Sequence, residues 1–162
     1  MAKSGYCNGS DVLLMVNGKC VGHCTTHSLN CNSETKDRAV KPALTVGIGS
    51  GLWKEKTVTG LSISASASGL VFYNETECSY ADLFKLWKSA KSIECKFFER
   101  AEAGGSTTPA PYCVGKFVIT SLATDAPAAD DTTYSISLEN DGEPTTLDES
   151  KLTPPASGAA GA

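Results

Sequence analysis

The segment from Thr57 to Ser68 constrains the fold more than any other part of the chain. Apolar and serine side chains alternate along it without a break: Leu61, Ile63, Ala65 and Ala67 against Ser62, Ser64, Ser66 and Ser68. A period of two residues predicts a β-strand with one face on a hydrophobic core. The opposite face is narrow, polar and uncharged, which suits either water or the close approach of another surface.

One later segment has a helical period instead. Ser79 and Asp82 have the spacing of a capping box, which marks a helix N-terminus. The apolar residues that follow lie on one stripe: Tyr80, Leu83, Phe84 and Trp87. We predict a helix near residues 79–91 whose stripe packs on a sheet. Core packing is favoured over an aromatic cofactor box at Phe84 and Trp87.

Further strand patterns surround this helix. The run Val12–Val16 ends at Asn17-Gly18, a strong hairpin signal, so a partner strand from Lys19 to about Asn32 is expected to pair with it directly. Other predicted strands are centred on Ile93–Phe97, Tyr112–Leu122 and Tyr134–Leu138. About seven strands and one helix indicate an α+β, mainly β fold: an antiparallel β-sandwich or barrel with one packed α-helix and long assembly loops.

Two regions lack apolar periodicity. Residues 33–56 are predicted to form a long loop, and loops of this length in a compact domain are usually functional or disordered. Trp53 near its end is either an anchor for protein–protein contact or part of its own core. After Asn140 the chain is rich in Pro, Gly, Ala, Thr and acidic residues. We therefore predict one domain over residues 1–140 and a flexible acidic tail over residues 141–162.

Composition and charge exclude several classes of protein. The 162 residues are 41% hydrophobic and contain no run near the ~20 apolar residues that span a bilayer, so no membrane association is expected. The N-terminus has no apolar signal-peptide core. The formal net charge is −4, and residues 121–162 hold one lysine against eight carboxylates. Nucleic-acid binding driven by net charge is therefore not expected.

The seven cysteines do not indicate a metal site. Cys20 and Cys24, like His23 and His27, are four residues apart on a predicted strand, or ~13 Å at ~3.3 Å per residue. Two ligands of one zinc ion must each lie within ~2.0–2.3 Å of it, so this spacing fails, and Cys31 is further away. Reduced thiols are the default without secretion. No catalytic motif is present, and we predict neither a cofactor nor an enzyme.

The order of these motifs resembles the tail tube (major tail) proteins of long-tailed bacteriophages. The resemblance covers roughly residues 10–140. It is carried by Ser10–Leu14 with Asn17-Gly18-Lys19, Gly22-His23, Ser33–Asp37, Trp53–Lys56, Leu61–Ser64, Tyr80–Phe84 with Trp87, Phe117–Leu122 and Thr133–Glu139. The cysteines and the residues after Glu139 are not part of it.

The resemblance implies a structural virion protein whose six-fold homo-oligomeric rings stack into a tube for DNA ejection. It also implies tape-measure, tail-terminator and baseplate proteins as partners, non-specific passage of DNA, and assembly in the host cytoplasm. The long loop and the N-terminal arm would reach neighbouring subunits. Candidate subunit contacts are Glu34, Lys36, Asp37, Trp53, Lys54, Glu55 and Lys56. Candidate lumen residues are Ser62, Ser64, Ser66, Asp125, Asp130 and Asp131.

Two other interpretations stay open at this point. A stand-alone β-sandwich that binds or decorates a virion would remain monomeric with Trp53 exposed. A metal-binding or redox enzyme built on the cysteines is the other, and stoichiometric zinc in the purified protein would support it. Electron microscopy separates these possibilities, because only a tail tube protein is expected to form rings or tubes.

Overall fold

A computed structural model describes residues 9, 12–38, 54–73, 76–99 and 111–148. Within these ranges the chain forms eight strands and one helix. The elements are β1 (Val12–Val16), β2 (Lys19–Cys20), β3 (Cys24–Arg38), β4 (Glu55–Leu70), α1 (Tyr80–Ser89), β5 (Ile93–Glu99), β6 (Pro111–Asp125), β7 (Thr133–Asn140) and β8 (Thr146–Leu147). The predicted fold class, mainly β and antiparallel with one helix, is confirmed.

All the strands belong to one antiparallel sheet that curls on itself. Their order is β2-β1-β5-β6-β7-β4-β3, and β8 pairs with β6. In a flat sheet β5 and β3 would be four strand spacings apart, or about 19 Å at ~4.8 Å each. The rings of His27 on β3 and Phe97 on β5 are nevertheless 6.5 Å apart between centroids. The sheet therefore folds one face inward around the core.

The core lies on that inward face and is built mainly from strand residues. Phe97, Phe117, Ile136 and Leu138 are all essentially inaccessible to solvent. The rings of Phe97 and Phe117 meet edge to face with centroids 6.0 Å apart, a favourable aromatic geometry. Tyr134 is also buried, and its hydroxyl donates a 3.0 Å hydrogen bond to the carbonyl of Gly22.

The alternation predicted for β4 is correct over most of its length. Ile63, Ala65 and Ala67 are buried as expected, but Leu61 is 77% exposed, so its predicted place in the core is wrong. The reason is the neighbouring strand: the pairing of β7 with β4 stops at Ser64. The amide of Ile63 donates instead to the side-chain oxygen of Asn140 at 2.9 Å.

Helix α1 begins as predicted and packs less completely than predicted. Ser79 is its N-cap, and the Asp82 carboxylate accepts the Ser79 amide at 3.4 Å. Leu83 is fully buried, whereas Phe84 and Trp87 are about half exposed, so the expected packing of the whole stripe is wrong. At 3.6 residues per turn Phe84 points ~100° away from Leu83. Its ring instead contacts that of Trp87, with centroids 5.8 Å apart.

The prediction of a structureless loop over residues 33–56 is wrong at both ends. β3 continues to Arg38 and β4 starts at Glu55, and the two pair along their whole length. Cross-strand backbone hydrogen bonds form without apolar periodicity, which is why the pattern does not reveal these strands. Residues 39–53, including Trp53, lie outside the described residues.

The first hairpin is confirmed, but it is shorter than expected. Asn17 and Gly18 have positive φ angles of 48° and 82°, and Met15 pairs with Cys20 across the turn. The partner strand ends at Cys20, so the expected single strand from Lys19 to Asn32 is wrong. β3 pairs with β4 rather than with β1.

The segment after Asn140 is not without regular structure. The amide of Asp141 donates to the carbonyl of Lys116 at 2.8 Å, and β8 pairs with Cys113 and Val114 on β6. The expectation of an unstructured segment is therefore wrong for Thr146–Leu147, because the edge of β6 beyond the end of β7 offers backbone partners. The division into a domain and a tail stays a prediction. No helix among the described residues is long and apolar enough to cross a membrane.

Candidate functional site

The outward side of four neighbouring strands forms a continuous surface of small polar side chains. Its strands are β3, β4, β7 and the second half of β6, residues 118–125. Strand register aligns the side chains in rows: Asn30–Ser64–Glu139–Val118, Ser28–Ser66–Ser137–Ser121 and Thr26–Ser68–Ser135–Ala123. None of these side chains is buried. We call this surface the polar face.

Hydrogen bonds tie the hydroxyl and amide groups of the polar face together. The hydroxyls of Ser28 and Ser66 are 2.7 Å apart, and the side-chain nitrogen of Asn32 donates to Ser64 Oγ at 3.2 Å. Glu139 and Asp125 carry the negative charge of the described rows, Asp125 in the row that also contains Leu70 and Thr133. The polar face is therefore hydrogen-bonded within itself and carries carboxylates in these rows.

Four of the six predicted lumen residues lie on the polar face, and two lie beyond its end. Ser62, Ser64 and Ser66 all lie on the polar face, as does Asp125 at one end of it. Asp130 and Asp131 lie in the turn between β6 and β7, beyond that end. The role of these six residues stays a prediction.

Two strand edges that bound the polar face have no partner within the described residues. β3 ends the strand order, so its outer edge is open. β5 pairs with β6 only as far as Phe117, which leaves the other edge of residues 118–125 open. Unpaired edges of this length attract strands from other chains. The polar face therefore ends on both sides in a strand edge that no described strand covers.

Residues 31–38 and 55–62 project beyond the core as a two-stranded ribbon, which we call the projecting hairpin. A β-bulge at Thr59 shifts the register so that Val58, like Leu61, lies on the side that continues the core face. Val58 is 56% exposed and Leu61 77%. The hairpin therefore carries an apolar strip that its own chain does not cover within the described residues.

The candidate contact residues are spread over this hairpin. Register places Glu34, Lys36 and Glu55 on the side of the polar face, and Asp37 and Lys56 on the side of the apolar strip. Lys54 and Asp37 form an ion pair of 3.6 Å with both side chains at least half exposed. An exposed pair of this kind adds little stability. The structure brings these six residues together; Trp53 lies outside the described residues, and their role as contacts stays a prediction.

Cys78 and Cys95 are buried and poorly suited to nucleophilic chemistry. Burial raises the pKa of Cys95 to about 12 and that of Cys78 to about 11, so both stay protonated at neutral pH. No three His, Cys, Asp or Glu residues of the described ranges are grouped as metal ligands. His27 packs near Phe97, and the loss of solvent lowers its pKa.

The comparisons with known proteins identify the family. A sequence model described as phage tail tube protein matches residues 7–146. The chain belongs to the phage tail tube protein family. A search of curated protein sequences found no match. The predicted resemblance is confirmed, and the chain is a structural component of the virion tail.

Solved structures with the same fold include a particle tail, a tail tube and a sheath/tube terminator. The tail of an empty gene transfer agent particle, refined with C6 symmetry, has TM-score 0.67 and 17% identity, covering 88% of this chain and 99% of that one. The SPP1 tail tube has TM-score 0.60 and 14% identity, covering 85% and 77%. A sheath/tube terminator of the PVC contractile injection system has TM-score 0.58 and 16% identity, covering 87% and 96%.

Sequence reasoning missed the two open edges and the exposed position of Val58 in this tail tube protein. The open edge of β6 has no local signal, because the apolar pattern around Val118 and Ile119 does not encode which strand lies beside them. The exposure of Leu61 has a signal in its partner strand. Thr35 and Asp37 lie on the same side of the ribbon, and a core would not accept Asp37.

Proposed function

We propose that this tail tube protein assembles into six-fold rings that stack into a hollow conduit for DNA ejection. The observation that carries the proposal is the polar face bounded by two open strand edges, on β3 and on residues 118–125 of β6. A similar fold occurs in a gene transfer agent tail with C6 symmetry. The family and this geometry together favour a closed ring over a monomeric binding or decoration module.

Ring closure follows from joining these edges. The outer edge of β3 in one copy pairs with residues 118–125 of β6 in the next, so each subunit contributes four strands to one inner barrel. Repeating a head-to-tail contact of this kind closes a ring when the rotation fits. A barrel of that many strands leaves an open channel instead of a side-chain-filled interior.

The polar face lines the channel in this arrangement. Duplex DNA carries one charge per ~1.7 Å of axis, and each lysine or arginine contact adds salt-sensitive affinity. The rows of the polar face hold mainly Ser, Thr and Asn with the carboxylates of Glu139 and Asp125, besides the apolar Val118, Ala123 and Leu70. Such a wall repels phosphate weakly and hydrogen-bonds to water, so DNA slides without binding.

The projecting hairpin reaches a neighbouring subunit and buries its apolar strip there. Val58 and Leu61 supply the apolar contact, and the charged candidates from Glu34 to Lys56 surround it. Trp53, which lies outside the described residues, stays a candidate for the same contact. The finished tube then meets tail-terminator, tape-measure and baseplate proteins after assembly in the host cytoplasm.

Electron microscopy of the purified full chain tests the assembly, and hydrogen exchange tests its geometry. We expect six-fold rings or tubes. On assembly, amides of residues 24–38 and 118–125 should become protected. β5 is the internal control, because it already pairs with β1 and β6 in the single chain and its exchange should not change. Strictly monomeric protein at high concentration, or rings whose β3 amides exchange as in the monomer, would contradict the proposal.

A further inference from the structure

Helix α1 exposes two aromatic rings that belong neither to the projecting hairpin nor to the polar face. Phe84 is 46% exposed and Trp87 47%, and the centroids of their rings are 5.8 Å apart. Leu83 of the same helix belongs to the core cluster and Leu86 packs against it, whereas the two rings do neither. We call Phe84 and Trp87 the helix patch. Exposed large aromatic side chains are typical of surfaces that bind another protein.

The helix patch lies beside the open edge of β6. Tyr80, the first residue of α1, places its hydroxyl 3.4 Å from that of Thr124. At the other end of α1, three residues lead into Ile93 of β5, which pairs with Phe117. The helix therefore follows residues 118–125, the part of β6 that β5 leaves without a partner.

A strand added at this edge would meet α1. Leu83 is fully buried, so α1 lies on the core side of the sheet. In the proposed ring, β3 of the next copy joins residues 118–125 of β6, and β4 of that copy lies one strand further out. Neighbouring strands are ~4.8 Å apart and a helix is ~10 Å wide, so a helix at this edge reaches side chains of both added strands.

The two added strands differ along their length in what they offer on the core side. In the half next to the core, His27 packs near Phe97 and Leu29 packs against the core of its own chain. In the projecting hairpin, Val58 is 56% exposed and Leu61 77%, and both lie on the side that continues the core face. Among the described residues, the apolar strip is therefore the part of the neighbour that is free to cover the helix patch.

We propose that the apolar strip of one copy packs on the helix patch of the next copy around the ring. Val58 and Leu61 contact the rings of Phe84 and Trp87 on the side of the sheet opposite the channel. The contact is heterologous, because each copy offers one strip and one patch, so a closed ring leaves neither surface exposed. The inference rests on the proposed ring and names the surface that receives the projecting hairpin.

A double-mutant cycle in the full-length protein tests whether the two surfaces contact each other. The variants are Leu61→Ala, Trp87→Ala and the combination of both, each checked for folding by circular dichroism. Each single change should raise the critical concentration for tube formation by about tenfold, because less apolar area is buried on assembly. The combination should raise it little further than the more affected single variant, since each change already removes the contact made by the other residue.

Lys85→Ala is the matched control on α1. Its side chain is 78% exposed and points ~200° around the helix from Leu83, on the far side from the core. This variant should assemble as the native protein does and should leave the effect of Leu61→Ala unchanged. If Trp87→Ala does not fold, Phe84→Ala takes its place in the cycle, because its ring is equally exposed and points further from Leu83.

Two results would overturn the inference while leaving the proposed ring intact. One is native assembly of the folded helix-patch variant. The other is a combined variant whose critical concentration rises by about a hundredfold, the product of the two single effects, because the two surfaces would then bind different partners. Failure of the native protein to form rings or tubes would instead contradict the proposed function.

Discussion

The two halves of β4 are both regular strand, but one half has two neighbouring strands and the other has one. From Ser64 to Leu70 the strand lies between β3 and β7 and its alternate residues are buried, as is Ile63 at the boundary. From Glu55 to Ser62 it pairs with β3 alone within the described residues, and Leu61 and Val58 on the corresponding side are exposed. A second neighbouring strand, not the apolar pattern itself, decides which half belongs to the core.

The largest expected effect comes from truncating matched residues on the two sides of this boundary. Ile63 and Leu61 lie two residues apart on the same face of β4, but only Ile63 is buried. Ile63→Ala should lower the free energy of unfolding by about 2–5 kcal/mol, the usual cost of deleting a buried aliphatic side chain. Leu61→Ala should change it by less than about 0.5 kcal/mol, as at other exposed sites. Urea denaturation of monomeric protein measures both.

Equal losses of stability at Ile63 and Leu61 would show that the hairpin is part of the folding core and that the two halves of β4 do not differ.

Tube formation should depend on Leu61 although monomer stability does not. Leu61→Asp should leave the stability of the monomer within about 0.5 kcal/mol of native. It should nevertheless prevent tube formation, because a carboxylate would be buried in the proposed contact. Native tubes from this variant would show that the apolar strip is not an assembly surface.

An intermediate effect is expected at the boundary residue itself. The Asn140 side chain accepts a hydrogen bond from the Ile63 amide at 2.9 Å and donates one to the Gly142 carbonyl at 2.8 Å. It therefore supplies the acceptor for β4 at the point where the pairing with β7 ends. Asn140→Ala should cost about 1–2 kcal/mol by urea denaturation, because the Ile63 amide loses its acceptor. Asn140→Asp keeps an acceptor oxygen and should recover most of that loss. If both variants are equally destabilised, the cap on Ile63 is not the cause.

How far the sequence predicts this structure depends on whether a feature is local. The alternation at Ile63–Ala67, the Asn17-Gly18 turn and the capping box at Ser79 are local patterns, and all three are confirmed. The long pairing of β3 with β4 is not local. Its outer part has no apolar period, because it is covered neither by β7 nor by the described core. The same reason explains why the polar face could be predicted in part from its serines, whereas its open edges could not.

The exposed aromatic side chains of α1 show a second limit of prediction from the sequence. A stripe of four apolar residues predicts a buried helix face, but the sheet contacts an arc centred on Leu83 that leaves Phe84 outside. The width of that contact depends on how the sheet curls, which no local pattern encodes. Large aromatic side chains left exposed in this way are more typical of a surface that contacts another protein than of a self-contained domain.

The smallest expected effect concerns the part of β3 that does contact the core. Burial against Phe97 lowers the pKa of His27, so the folded chain favours the neutral imidazole. As pH falls below about 6.5, the unfolded chain takes up this proton first, and stability should decrease until the pH passes the folded-state pKa. The loss is modest because His27 remains partly exposed. Urea midpoints at pH 7.5 and pH 5.5 should differ more for the native protein than for His27→Gln, which cannot titrate there. An identical decrease in both proteins would assign the pH dependence to the carboxylates and leave β3 without a titrating contact to the core.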